Sequence, residues 1–228
     1  MERRARLVVI GSSNTDMVVK VPKIPAPGET VLGGDLATVA GGKGANQAVA
    51  AARLGADVTF IGCVGDDAFG QRSLAGLASE GIDISWCRRL DGIPSGVALI
   101  AVDESGQNSI VVAPGANMRL SEEMIEAATS AIAGAHAIVM QCEIPLPVVI
   151  HAARVARNLN KLVILNPAPA CRLPDELFSL ADVLTPNETE ARALLGLSPE
   201  EHQDDESVLA AIADAGVKPS DIDGLLTA

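Results

Sequence analysis

The chain alternates between short, unbroken apolar runs and longer segments with apolar residues every three to four positions. Leu7-Val-Val-Ile-Gly11, Val58-Thr-Phe-Ile-Gly62, Ala137-Ile-Val-Met140 and Leu162-Val-Ile-Leu165 are apolar on both faces, the pattern of strands buried in a parallel sheet. Between them, Ala45 to Leu54, Ala68 to Glu80, Glu122 to Ala133 and Leu146 to Asn158 have helical periodicity. Strand and helix in turn predict an α/β fold: a doubly wound, mostly parallel sheet with helices on both faces. Ser121, followed by two acids, is placed to cap the third helix.

A second kind of segment interrupts this rhythm. Residues 15–21, 31–39, 96–102 and 108–112 read as strands, the last two joined by the hairpin-type loop Asp103-Glu-Ser-Gly-Gln107. They are expected to form a small antiparallel β lid on the main body. The Pro-rich stretch Pro22 to Gly28 is expected to separate that layer from the main sheet. The domain reading is thus an α/β body over 1–197 with these lid segments, and an acidic tail over 198–228. The tail carries eight acids and one base and has one helical pattern, Glu206 to Ala215.

Composition narrows the function classes. The 228 residues carry 17 basic and 29 acidic side chains, a net charge of −12, with four aromatic residues in all. Nucleic-acid partners are disfavoured, since they call for clustered Lys/Arg and stacking platforms. At 48% apolar residues the chain can bury a core, yet no stretch reaches membrane-spanning length. Cys63, Cys87, Cys142 and Cys171 lack metal-ligand spacing and are expected to be buried, reduced thiols, which makes a cytoplasmic location the expectation.

The densest chemical signal is Ala40-Gly-Gly-Lys-Gly-Ala-Asn-Gln-Ala48. Glycines let a backbone bend and approach a ligand, and the helix starting there would offer free N–H groups and a positive dipole end to oxygen-rich groups. A plain glycine-rich helix start accounts for the same residues. Asn14 and Asp16 follow the first strand, where open α/β sheets hold ligands, and a carboxylate can accept from two sugar hydroxyls at once. An Asx turn is the alternative. Glu143 follows the strand ending at Met140. Asn187 and Glu190, three apart at a helix start, suit either a hydrated metal–phosphate group or a helix cap. The case for function is convergence: Asn14, Lys43, Asn46, Glu143 and Asn187 are all expected at strand ends of one sheet.

Gly41-Gly-Lys-Gly-Ala-Asn-Gln-Ala48, with Gly55 and Gly65 beyond it, resembles the first signature of the PfkB-type sugar kinases. The opening Gly11-Ser-x-Asn-x-Asp16, then Pro27-Gly-Glu-Thr30, Asn166-Pro-Ala-Pro-Ala170 and Thr185-Pro-Asn-Glu-Thr-Glu190, narrow the resemblance to the ribokinases, over about Leu7 to Leu197. That resemblance implies ATP-dependent phosphorylation of D-ribose or a related pentose to the 5-phosphate. It places Asn14, Asp16, Gly42, Lys43, Asn46 and Glu143 around the sugar. Asn187 and Glu190 fall near ATP, with Glu190 acting indirectly on Mg2+. It also implies a lid that closes over the sugar and pairs two chains into a homodimer.

One part of the pattern is not spelled in these residues. The second signature, D-T-x-G-A-G-D, supplies the family's anion site and the Asp that deprotonates the sugar hydroxyl; Gly65-Asp-Asp67 is the nearest string and lacks the Gly-Ala-Gly run. The catalytic Asp and the loops for a monovalent cation (K+) are therefore expected to be missing, along with the C-terminal part of the fold. The 228 residues alone are expected to be inactive in phosphoryl transfer. The alternative is a non-catalytic, sugar-binding and dimerising remnant.

Overall fold

In a computed structural model of the chain, the structure describes residues 4–194 and Gly196. The apolar runs form a six-stranded, all-parallel sheet. Its strands are β1 (Arg6–Ile10), β4 (Asp57–Gly65), β5 (Asp83–Leu90), β8 (Ala137–Gln141), β9 (Leu162–Asn166) and β10 (Val183–Leu184), in the order β10-β9-β8-β1-β4-β5. From β1 the chain builds outward to both sides, so the mouth between β4 and β8 at the end of β1 is the topological switch point, where such sheets hold ligands.

Both faces of this sheet are covered. Val9, Val58 and Phe60 pack on one side against α1 (Lys43–Arg53) and α2 (Ala68–Ser79), through Ala45, Ala48 and Leu77. On the other side Val8, Ile10, Ile138, Met140, Val163 and Leu165 meet α3 (Glu122–Ala127), α4 (Thr129–Gly134), α5 (Leu146–Asn158) and α6 (Asp175–Leu180). The helix α5 shows how pattern becomes packing: Val148, Val149, Ala152, Ala153 and Ala156 are buried, while Arg154 on its outer face grips Glu176 at 2.6 and 2.7 Å. Among the described residues no helix is long and apolar enough to cross a membrane.

The small sheet comprises β2 (Asn14–Lys20), β3 (Leu36–Gly41), β6 (Gly96–Val102) and β7 (Asn108–Ala113), in the order β3-β2-β6-β7. It is mixed rather than antiparallel, because its central pair, β2 and β6, runs parallel. The two strands belong to separate excursions from the main sheet, and each leaves it in the same direction. Residues 31–35 are not strand, and the Pro22–Gly28 stretch joins β2 to β3 within this layer instead of leading out of it.

Other details also differ from the periodicity. The segment expected as one helix over Glu122 to Ala133 is divided at Ala128 into α3 and α4, and Ser121 takes N-cap geometry with no side-chain capping bond. Of the four cysteines only Cys63 is fully buried; all are free, and burial pushes the Cys63 and Cys87 thiols up to about 11 and about 12. The acidic tail expected over 198–228 lies outside the described residues.

Candidate functional site

The site forms where β1 hands the chain to the small sheet. Gly11–Ser13 turn out of β1, and Asn14 opens β2. The 3-10 turn η1 (Gly115–Arg119) borders it through Asn117 and Met118, and helix α7 (Glu188–Leu194) follows β10. β3 returns antiparallel to β2, setting Asn14 opposite Gly41. At Gly42 the backbone adopts φ +91°, ψ 130°, open to glycine and strained for other residues. A Cβ there would lie 2.7 Å from the Asn14 nitrogen. This close approach brings the start of α1 against the Ser12–Asn14 turn.

The first N–H groups of α1 are not left for a ligand. Glu143 Oε2 accepts from the Lys43 N–H at 3.1 Å, Ser12 Oγ from the Gly44 N–H at 3.3 Å, and Ser12 O from the Ala45 N–H at 2.8 Å. Ser12 Oγ in turn donates to Glu143 Oε2 at 2.6 Å. A carboxylate from the end of β8 thus caps the positive end of α1 across the fold. The sequence expected free donors here; the turn after β1 and the residue after β8 supply the acceptors instead.

Asp16 is the site's perturbed acid. Its carboxylate lies over Gly41, where a Cβ would approach both oxygens to 2.2 Å, so the missing side chain makes the seat for the charge. Half-burial, and after it the negative charge of Glu143, raise its pKa above the usual carboxylate value. Asn14 is buried, at 5% exposure. It lines a cavity of about 270 Å³ together with Asn117, Glu143, Val112, Met118 and Pro169, near the lower end of the ~300–1,000 Å³ typical of small-molecule sites.

The residues singled out from sequence gather incompletely. Asn14, Asp16, Gly42, the Lys43 backbone and Glu143 meet around the Ser12–Asn14 turn. Asn46 is exposed and lines a separate groove of about 730 Å³ between α1 and α2. A small cavity of about 100 Å³, shared by Asn14, Ala40 and Ser73, lies between the two. Lys43 and Asn46 follow a strand of the small sheet, whereas Asn14, Glu143 and Asn187 follow β1, β8 and β10 of the main one. Asn187 and Glu190 form a reciprocal cap at the start of α7: the Asn187 N–H donates to Glu190 Oε2 at 2.9 Å and the Glu190 N–H to Asn187 Oδ1 at 2.8 Å. Among the described residues no group of three or more His, Cys, Asp or Glu could hold a metal.

Comparison with known proteins gives the family. The description "pfkB family carbohydrate kinase" belongs to the family profile that matches residues 4–219. The chain belongs to that family. It is 45% identical over 215 residues to a ribokinase of Haemophilus influenzae, covering 94% of this chain and 70% of that protein. A bifunctional ribokinase/ribose-5-phosphate isomerase A of Fructilactobacillus sanfranciscensis is 44% identical over 206 residues, which are 90% of this chain and 38% of that one. Among solved structures, Arabidopsis thaliana ribokinase complexed with ribose and ATP superposes with a TM-score of 0.83 at 34% identity, covering 95% of this chain and 70% of its own.

Several residues that hold this region together do not stand out in the sequence. Ser12 holds Glu143. Asn117 reaches Ser13 and Asn14 from more than 100 residues away. Asp67 caps α2 through the Gly70 N–H at 2.8 Å and accepts from Ser95 N–H and Oγ at 2.8 and 2.7 Å. Burial would raise its pKa, but the bonds from Ser95, Gly70 and Phe69 prevail and lower it. A capping Asp three residues before Gly70 was the one available signal; the partners of Ser12 and Asn117 depend on the fold.

Proposed function

We propose that the cavity beside Asn14 and Asp16 binds D-ribose or a closely related pentose, as the sugar side of a ribokinase-type active site that makes ribose 5-phosphate with ATP. The observation that carries this reading is the half-buried Asp16 carboxylate seated over Gly41, next to the buried amide of Asn14. An acceptor-only carboxylate paired with an amide suits adjacent hydroxyls, and burial together with the Glu143 charge disfavours the ionised Asp16, which hydroxyl donors would stabilise. Glu143 lines the cavity, and in this proposal Gly42, Lys43 and Asn46 meet the sugar from the hinge between the main body and the small sheet. Asn187 and Glu190 serve the nucleotide side in this proposal, where Glu190 would act indirectly on the Mg2+ that accompanies ATP and neutralises phosphate charge.

The small sheet has two apolar faces with separate roles in this proposal. Val39 and Val112 share a face with Asp16, while Leu99 and Val111 lie on the opposite one, and all four are exposed. The first face acts as the lid that closes on the sugar and excludes water; the second pairs with another copy of the chain. Turnover in this reading also needs the anion site and catalytic Asp of the second signature, so the 228 residues alone bind sugar without steady phosphorylation.

Titration of the chain with ribose, beside a coupled kinase assay, tests the proposal. Saturable ribose binding that Asp16→Asn weakens is the expected result. Absence of ribose binding would overturn it, and steady phosphorylation would overturn the need for a further segment.

A further inference from the structure

The orientation of the Asn14 amide can be deduced from a backbone donor. The Ser13 N–H donates to Asn117 Oδ1 at 2.9 Å, and since a peptide N–H only donates, the oxygen of Asn117 is fixed on that side. Its Nδ2 must then face the other way, where it donates to Asn14 Oδ1 at 2.7 Å and to Ser13 O at 3.3 Å. An amide nitrogen also only donates, so the atom of Asn14 that meets it is the oxygen. The backbone N–H of Ser13 thus fixes both amides, oxygen from nitrogen.

The surroundings hold this arrangement. Asn117 is 1% exposed, and its 3-10 turn is anchored where the Ala116 N–H donates to Pro94 O at 2.8 Å. The contact between the two amides lies over Gly96, where a Cβ would sit 2.2 Å from Asn14 Oδ1 and 2.4 Å from Asn117 Nδ2. Any side chain at 96 would separate the pair.

We infer that Asn117 is a positioning residue that fixes Asn14 as a hydrogen-bond donor toward the bound molecule. With its oxygen turned to Asn117 over Gly96, Asn14 presents its Nδ2 hydrogens on the other side, toward a ligand. Asp16, ionised, only accepts. The two side chains therefore read opposite features of a polyol: Asn14 a lone pair on a hydroxyl or ring oxygen, Asp16 a hydroxyl proton. This rests on the proposed sugar site, and it explains how one small cavity can select a hydroxyl, which offers both features, over a group that offers one.

Asn117→Asp is the informative change. The carboxylate still accepts from Ser13 but cannot donate to Asn14, whose amide must turn over to donate to it and so presents oxygen to the ligand. The expected result is a loss of ribose affinity of at least about tenfold, with no further loss when the same change is made in an Asn14→Ala background. Equal losses in both backgrounds, or unchanged affinity, would overturn the inference. A ligand-free readout separates it from the sugar reading: in 1H–15N spectra of the wild-type chain, the Asn117 side-chain NH2 pair should exchange slowly with solvent and should shift in Asn14→Ala. Fast exchange, or no shift, would overturn the assignment even if ribose binds. Slow exchange and a shift without ribose binding would uphold the Asn117 geometry and overturn the sugar site.

Discussion

Gly44→Ala and Gly76→Ala are the same chemical change in two helices, and the structure gives them opposite signs. At Gly44 the new Cβ would lie 2.6 Å from Ser12 N and 2.8 Å from Gly11 C and Cα. All three are backbone atoms that cannot swing aside. Ordinary contact begins at 3.4 Å, so α1 must retreat by several tenths of an ångström. Overpacking of this kind costs about 1–3 kcal/mol. The same retreat stretches the bonds from the Gly44 and Ala45 N–H groups to Ser12. Against this stands a helix-propensity gain of up to ~1 kcal/mol. The net expectation is a loss of about 2 kcal/mol, a fall in Tm of ~4–8 °C for a chain of this size. At Gly76, within α2, nothing lies within 4 Å of the new Cβ, so the propensity gain stands alone and Tm should rise by ~1–3 °C. Thermal melts followed by circular dichroism decide the matter, and ribose affinity should fall only in Gly44→Ala, which disturbs Ser12 and Glu143. A Gly44→Ala variant as stable as Gly76→Ala would refute the close packing of α1 on the Ser12–Asn14 turn.

Three further outcomes follow from the same geometry. Because the folded-state pKa of Asp16 is raised, the native state binds its proton more tightly than the unfolded chain, and its ionisation reduces stability as pH rises through the folded pKa. Asp16→Asn should therefore melt higher than wild type at pH 7, with the gap closing toward pH 3, while losing ribose affinity by roughly 1–3 kcal/mol; a lower melt at pH 7 would contradict this. Asp67 is lowered, so its contribution is present above the unfolded pKa and fades as pH falls through the folded one. Asp67→Ala should cost about 1–3 kcal/mol at pH 7 through the lost α2 cap and the unpaired Ser95 groups, and a denaturant midpoint equal to wild type would count against it. Cys63 and Cys87, pushed up to about 11 and about 12, should resist alkylation at pH 7.5 until the chain unfolds, as mass spectrometry of the labelled peptides would show.

The parallel core was legible because its strands are buried on both faces and therefore read as unbroken apolar runs. β5 was not, since Asp83-Ile-Ser-Trp-Cys-Arg-Arg-Leu90 is an edge strand with charges interleaved. The small sheet could be located but not wired: local pattern marks a strand and says nothing of its partner, so the parallel β2–β6 pair stayed hidden. For the site, the glycines at 41, 42 and 44 and the acid at 16 stand out by residue type and position. They do not leave free N–H groups for a ligand, because Ser12 and Glu143, from elsewhere in the chain, take them. Asn117 sits in a short irregular turn with no periodicity, and only the fold brings it to Asn14.

The claim that the cavity lined by Asn14 and Glu143, with Asp16 beside it on β2, receives a pentose is tested most directly by calorimetric titration of the wild-type chain and Asp16→Asn with D-ribose at pH 7. Saturable heat from the wild type and a binding constant weakened by roughly 1–3 kcal/mol in the variant are the results the structure predicts. No binding by a folded wild-type chain, or equal binding by both, would contradict it.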